Sequence, residues 1–279
     1  MPHIIYLNHE NMLIDKVSVF GLDFISAESI ADVADTILAY QPVITDTHLP
    51  LVITPNVDDV VQFSKRKNAA IARHMPHAAF ILPDGQFIVW ASRLIGKPIK
   101  SRLPGSDLFP VLWKKAIAQH KRILLIAPSL QVAQPLQKEY PDLQYYVPPF
   151  FEVDNHIQFQ EILEAAMRQV ALVQPELVLI GIRFPKQHML ALEMINRCHT
   201  TNKTKGDQTT SPLFLLLGAS YEFYVGIKKR APVLMQKTGT EWFHRFIQEP
   251  RRLFRRFFIE DLAFFPMVVR EYFRSRIHT

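Results

Sequence analysis

The chain has a single cysteine, Cys198, so no disulfide can form within it. That usage fits a reducing compartment. Glycine is scarce, nine in 279 residues, and neither a G-x-G-x-x-G fingerprint nor a P-loop occurs. Phosphate cradling by a glycine-rich loop is therefore not expected. There is no G-x-S-x-G elbow and no Asp-x-Asp pair of the kind that holds a divalent metal on a diphosphate. "HMPH" (74–77) lacks a helical i,i+4 pair and further ligands, so no metal site and no cofactor are expected. The opening "MPHIIYLNHENMLIDK" lacks the basic-then-apolar pattern of a secretory signal. The longest uncharged apolar runs, "LFLLLGA" and "LAFFPMVV", fall far short of the roughly 20 residues that cross a bilayer. Any membrane contact is expected to be peripheral.

What is present is an ordinary globular balance, 48% hydrophobic and 21% charged, on a chain long enough to bury a sizeable core. The net charge of +6 is unevenly placed. Residues 228–279 carry twelve basic side chains against five acidic ones, more than the whole excess. Such asymmetry points to an anionic partner for that segment.

Near-continuous aliphatic runs, "VSVF" (17–20), "LVIT" (51–54), "AAFIL" (78–82), "RILLIA" (122–127), "LVLIG" (177–181) and "LFLLLG" (213–218), read as strands covered on both faces. Amphipathic stretches at 28–40, 57–73, 106–119, 129–139, 155–173 and 186–198 alternate with them. The pattern predicts an α/β fold: a Rossmann-like, mostly parallel sheet with helices on both faces. Ser26, and Ser106 or Asp107, are candidate helix caps. "TTNKTKGDQTTSP" (200–212) reads as a mobile loop. From about residue 232 strand signals stop, which suggests a core over 1–231 and a basic helical appendage over 232–279, punctuated by Pro232, Pro250 and Pro266.

In an open α/β sheet, ligands bind at the carboxyl ends of the strands. The loops there carry Thr54-Pro55-Asn56, Pro83-Asp84-Gly85, Lys186-Gln187 and Ala219-Ser220-Tyr221-Glu222, and would converge on one crevice. Asp84 on a strand-end turn suits a general base. It suits equally a turn aspartate satisfying backbone N–H groups. Thr54 and Asn56 can hydrogen-bond substrate hydroxyls or serve a plain turn. Arg102 can pair with a diphosphate or stay solvated.

Taken together and in order, "TPNVD" (54–58), "LPDG" (82–85), "GKPI" followed by "RLPGSDLF" (102–109), "PKQ" (185–187) and "RAPVLMQKTGTEWFHRFIQEPRRLFRR" (230–256) resemble the WecG/TagA/CpsF family of bacterial glycosyltransferases, over roughly residues 17–260. The resemblance implies an inverting, metal-independent enzyme. It would move a sugar from a UDP-sugar donor, UDP-N-acetylmannosamine, its uronic acid or a related sugar, to an undecaprenyl-diphosphate-linked acceptor. The product would be cell-surface polysaccharide such as capsule or exopolysaccharide, made at the cytoplasmic face of the inner membrane. It matches Asp84 to the proposed catalytic base, Thr54 and Asn56 to substrate-contacting positions, with Thr54 counted beside Asp84 as catalytic, Arg102 to a phosphate-contacting arginine and Gln187 to a contact with the sugar nucleotide. The chain departs from the family where His188 follows "PKQ" in place of the usual Glu, where "LLIAPS" lacks a Gly-Gly turn, and where "GASYEF" puts Glu222 near the usual Asp. These departures bear on the donor sugar more than on the reaction.

"RFIQEPRRLFRRFF" (245–258) packs five arginines among six bulky apolar side chains. At about 100° per residue, Arg251, Arg252, Arg255 and Arg256 share one arc of roughly 140°, opposite Leu253, Phe254, Phe257 and Phe258. With Arg245 they are candidates to grip the acceptor diphosphate or the anionic lipid of the inner leaflet. A non-catalytic α/β protein binding anionic ligands or nucleic acid is the alternative. The arginines segregate from the aromatics instead of interleaving with them, so no nucleic acid is expected. The sequence leaves homo-oligomerisation open.

Overall fold

The computed structural model describes residues 14–42, 44, 45, 47–205, 211–232, 234, 235, 240–248 and 250–277. In chain order the core runs β1 Asp15–Val19, β2 Leu22–Ser26, α1 Ile30–Ala39, β3 Leu49–Ile53, α2 Val57–Ser64, α3 Ala69–Ala72, β4 Ala78–Ile81, α4 Gln86–Leu94, α5 Gly105–Ala118, β5 Ile123–Ile126, α6 Leu130–Glu139, β6 Gln144–Tyr146, α7 His156–Val173, β7 Leu177–Ile180, α8 Lys186–Lys205, β8 Leu213–Leu216 and α9 Ser220–Tyr224. After it come α10 Glu241–Gln248, α11 Pro250–Arg255, a π-helical turn Arg256–Glu260 and α12 Phe264–Ile277.

The eight strands form one sheet in the order β1-β2-β4-β3-β8-β7-β5-β6. Only the β1–β2 pair is antiparallel. The expected mostly parallel α/β sheet is therefore present. Aliphatic runs become strands here because both faces are covered: Val178 and Ile180 belong to one apolar cluster, Leu177 and Leu179 to the other. The β1–β2 hairpin turns on Phe20 and Gly21, both at positive φ (57° and 74°), as a two-residue turn demands. The Phe20 ring lies 5.1 Å from Phe264 of α12.

Several sequence expectations need correction. The strands β2 and β6 and the helix α4 were not foreseen. Ser26 ends a strand, and the cap of α1 is Ser29, whose side chain accepts from the Asp32 N–H. Helix α5 starts at Gly105, so Ser106 and Asp107 sit inside its first turn. The 57–73 stretch breaks at Lys65, and α8 continues through Lys205 into the supposed loop, of which 206–210 lie outside the described residues.

The register matters for function. Ile53 pairs with both Ile81 and Leu216, and Leu216 pairs with Ile180. Four central strands thus end level, and their loops leave the sheet side by side. Close packing below this rim admits no side chain at Gly181: a Cβ there would stand 2.9 Å from Tyr221 Cδ2 and 3.1 Å from Pro128 Cδ. Tyr221 is fully buried and its hydroxyl donates to the Leu215 carbonyl at 3.2 Å, so it has little room to yield. Gly181→Ala is expected to destabilise by about 1–3 kcal/mol, read from the urea midpoint; an unchanged midpoint would mean the ring moves aside freely.

Candidate active site

The level strand ends open onto a cavity of about 1430 Å³. Thr54, Asn56, Asp84, Arg102 and Gln187 all line it, brought together from the ends of β3, β4 and β7 and the loop before α5. Arg256 lines it from the C-terminal side, with Glu241 and Trp242. Glu222 is not part of the lining. Its carboxylate accepts from Lys228 Nζ at 2.6 Å and faces Arg183 at 3.9 Å, and those two cations do line the cavity.

Local folding fixes these groups. Asn56 caps α2: its Oδ1 accepts from the N–H groups of Asp58 and Asp59, and its own N–H donates to Asp59 Oδ2 at 3.0 Å. This reciprocal box satisfies orphan donors at the helix start. Arg256 Nη2 donates to the same Asn56 Oδ1 at 3.1 Å. With its oxygen so occupied, Asn56 has its amide NH₂ left to offer a ligand. The Asp84 N–H donates to the Pro55 carbonyl at 3.0 Å, tying the two loops together. Gly85 follows at φ 155°, backbone that residues with a Cβ rarely adopt. At Gly105 a Cβ would meet Ser220 Oγ at 2.8 Å and Thr54 Oγ1 at 3.2 Å, so glycine lets α5 begin against the cavity wall.

The electrostatics are coupled. Arg102 Nη1 donates to Glu241 Oε2 at 2.9 Å, with the two side chains 13% and 7% exposed. Burial works against the arginine's charge, and the Glu241 bond, with Asp84 and Asp107 nearby, more than offsets it. Asp59 is pushed up to about 7, chiefly by burial, with Asp58 and Asp84 adding and the Asn56 N–H and Arg256 opposing. Asp261, beside Arg256 at 3.8 Å, rises to about 6, again chiefly through burial. His188 is buried and driven down to about 3, so it is a neutral imidazole.

The tail arginines do not share one fate. Arg256 turns inward, where its Nε lies 3.3 Å from Asp58 Oδ2. Arg251 and Arg255 are exposed. The side chains of Arg245 and Arg252 lie outside the described residues. Arg256, at the edge of the expected arc, is thus set apart from the exposed Arg251 and Arg255, and the backbone passes from α-helix to π-helix there.

Chemically, the cavity holds carboxylates able to accept a proton and guanidinium and ammonium groups able to meet a phosphate, among hydrogen-bonding side chains. The sequence pattern described as "Glycosyl transferase WecG/TagA/CpsF family" matches residues 17–278. The chain belongs to that family. It is a glycosyltransferase, and among its relatives are the N-acetylglucosaminyldiphosphoundecaprenol N-acetyl-beta-D-mannosaminyltransferases of Staphylococcus aureus strains MW2 and NCTC 8325 / PS 47. Each is 26% identical over 246 residues, covering 86% of this chain and 87% of the relative. Sequence reasoning missed Asp59 and Glu241 as cavity groups of this transferase. The Asn56-x-x-Asp59 spacing was a readable capping box. Nothing local marked Glu241, whose partner lies 139 residues away.

Asp59 gives a test by pH. Its folded pKa stands above the ordinary 3.8, so the folded state bears a cost wherever the group is ionised in both states, above about pH 7. The cost fades as pH falls from 7 toward 4. Asp59→Asn, which keeps an acceptor for the Asn56 N–H, is expected to raise the melting temperature at pH 8, with the gain vanishing near pH 4. A gain of equal size at both pH values would show that ionisation is not its cause.

Proposed function

We propose that this glycosyltransferase moves a sugar from a UDP-sugar, UDP-N-acetylmannosamine, its uronic acid or a related sugar, to a sugar carried on undecaprenyl diphosphate, with inversion and without a metal. The observation that carries this reading is the meeting of Asp84, Arg102 and the C-terminal Arg256 around one cavity. The family and the names of its relatives agree with it.

The steps follow from the chemistry. Asp84 takes the proton of the acceptor hydroxyl as its oxygen attacks the anomeric carbon from the face opposite UDP. The new C–O bond forms while the bond to the β-phosphate oxygen breaks, and its electron pair leaves with the diphosphate. That group gains charge in the transition state, so cations aimed at it accelerate the step. Arg102 is the first candidate. Glu241 holds one of its nitrogens, and a guanidinium has further donors to present. Arg183 and Lys228 stand on the same cavity wall. Thr54 and Asn56 orient the hydroxyls, and Gln187 contacts the sugar nucleotide.

Residues 232–279 would serve as an appendage that docks on the inner leaflet. No helix among the described residues is long and apolar enough to cross a membrane. Phe243, Ile247, Phe254, Phe265 and Phe273 are nonetheless exposed, and Arg251, Arg255, Arg270 and Arg274 are exposed with them. Apolar groups that enter the interface, beside cations that meet lipid phosphate, give peripheral binding. Each such cation contributes about 1 kcal/mol near an anionic surface. The acceptor's own lipid would then bring its sugar to the cavity from the bilayer side.

Two measurements test this. Asp84→Asn should lower turnover by about a hundredfold to ten-thousandfold while UDP affinity stays within a few-fold; near-normal turnover would remove Asp84 from the role. Charge reversal of Arg251, Arg255 and Arg270 together should lower flotation with anionic vesicles by at least about tenfold and leave neutral vesicles unaffected; unchanged flotation would defeat the membrane reading.

A further inference from the structure

Among the described residues, the buried polar atoms of the cavity wall that lack a hydrogen-bond partner include Gln187 Oε1 and His188 Nδ1. Both side chains are more than nine-tenths buried, at 6% and 3% exposure, and both line the cavity. A buried polar atom without a partner costs free energy, and a small rotation of either side chain toward the cavity would let a ligand recover it. The surroundings of the imidazole are apolar. Phe184, which also lines the cavity, and Phe63 stand 5.1 and 5.7 Å from it, ring centre to ring centre, both edge-on. Burial keeps the ring neutral, so it offers one N–H donor and one bare nitrogen acceptor. Consecutive helical residues point about 100° apart, so the two side chains address neighbouring parts of one ligand instead of a single atom.

A fitting group has a methyl for the aromatic wall and amide N–H and C=O groups for the neutral polar atoms. A carboxylate placed there would meet the Phe184 ring and two uncharged side chains, a poorer match than a neutral amide. We propose that Gln187 and His188 form a subsite for the acetamido group of an N-acetylated sugar substrate, and that His188 sets the preference for acetamido over hydroxyl at that position. The inference rests on the cavity being the sugar-nucleotide site. The acetamido group belongs to the donor or to the acceptor sugar, and the chemistry it asks for is the same.

Calorimetric titration of the full chain with two pairs of probes decides the matter. The donor pair is UDP-N-acetylmannosamine and UDP-mannose. The acceptor pair is farnesyl-diphosphate-linked N-acetylglucosamine and its glucose counterpart. The wild type should bind the acetamido member of one pair at least tenfold more tightly, and the pair that responds identifies the source. His188→Leu should cut that preference to below threefold while leaving the affinity for UDP itself within twofold. His188→Asn, which keeps a hydrogen-bonding group, should retain part of it. Gln187→Met, which removes the neighbouring acceptor and spares the imidazole, should lower the preference independently and decides the case if the leucine variant does not fold. No preference in either pair, or a preference that survives both His188→Leu and Gln187→Met, overturns the subsite. Failure of UDP to bind the wild type overturns the sugar-nucleotide reading as well, whereas UDP binding without acetamido preference overturns the subsite alone.

Discussion

Charge compensation across the mouth of one cavity is the constraint on which the rest depends. The core presents Asp58, Asp59 and Asp84 where the central strands end. Left alone, these carboxylates would repel one another, and the raised pKa of Asp59 records chiefly its burial, with Asp58 and Asp84 adding to it. Arg256 arrives from the C-terminal side and lies against Asn56 and Asp58. In return Glu241 enters from that side and engages Arg102 of the core. Each half of the molecule supplies the counter-charge that the other lacks.

The magnitudes separate holding from orienting. Phe264 and Val268 of α12 are buried in the same apolar cluster as β3 and α2. Burying a large apolar side chain is worth about 1.5–3 kcal/mol. The Lys65–Glu260 pair at 3.5 Å and the Arg256–Asp58 pair are each a fifth to a third exposed. Such pairs contribute about 0–1 kcal/mol. The apolar contacts therefore fasten the C-terminal helices, and the ion pairs select where they sit. The buried Arg102–Glu241 pair is of a third kind. It adds little net stability over an apolar pair, yet losing one partner would be costly, which favours a single position for α10.

The fold was legible where one physical cause dominated. Strands covered on both faces must be aliphatic, and their runs were readable. Strand β2 carries Asp23 and Ser26, and edge strand β6 reads Gln-Tyr-Tyr, so neither gives that signal. The extension of α8 was hidden for a local reason. Thr200 and Thr201 discourage a helix on propensity, but here their hydroxyls donate to the carbonyls of Asn196 and Arg197 one turn back, at 3.0 and 2.9 Å. Asp84 was visible in the sequence because a strand-end carboxylate is a local pattern. The pairing of Arg102 with Glu241 was not, because it is set by tertiary closure. The inward turn of Arg256 was not legible either, because its partner Asn56 lies 200 residues away.

That closure has a consequence for any anionic ligand. A diphosphate entering the cavity adds charge to a space that already holds aspartates. Arg102 is shared with Glu241, Arg256 with Asp58 and Asp261, and Arg183 and Lys228 with Glu222. Each of these cations must therefore divide its donors between a carboxylate and the ligand, or exchange one for the other. A guanidinium can divide, because its five N–H groups face more than one direction, whereas an ammonium is a point charge on a flexible stem. Arginine at 102 and 256 thus allows an anion to be bound without releasing Glu241 or Asp58, and so without detaching α10 or the π-helical turn from the core. Lysine at either place would set ligand binding against closure of the molecule.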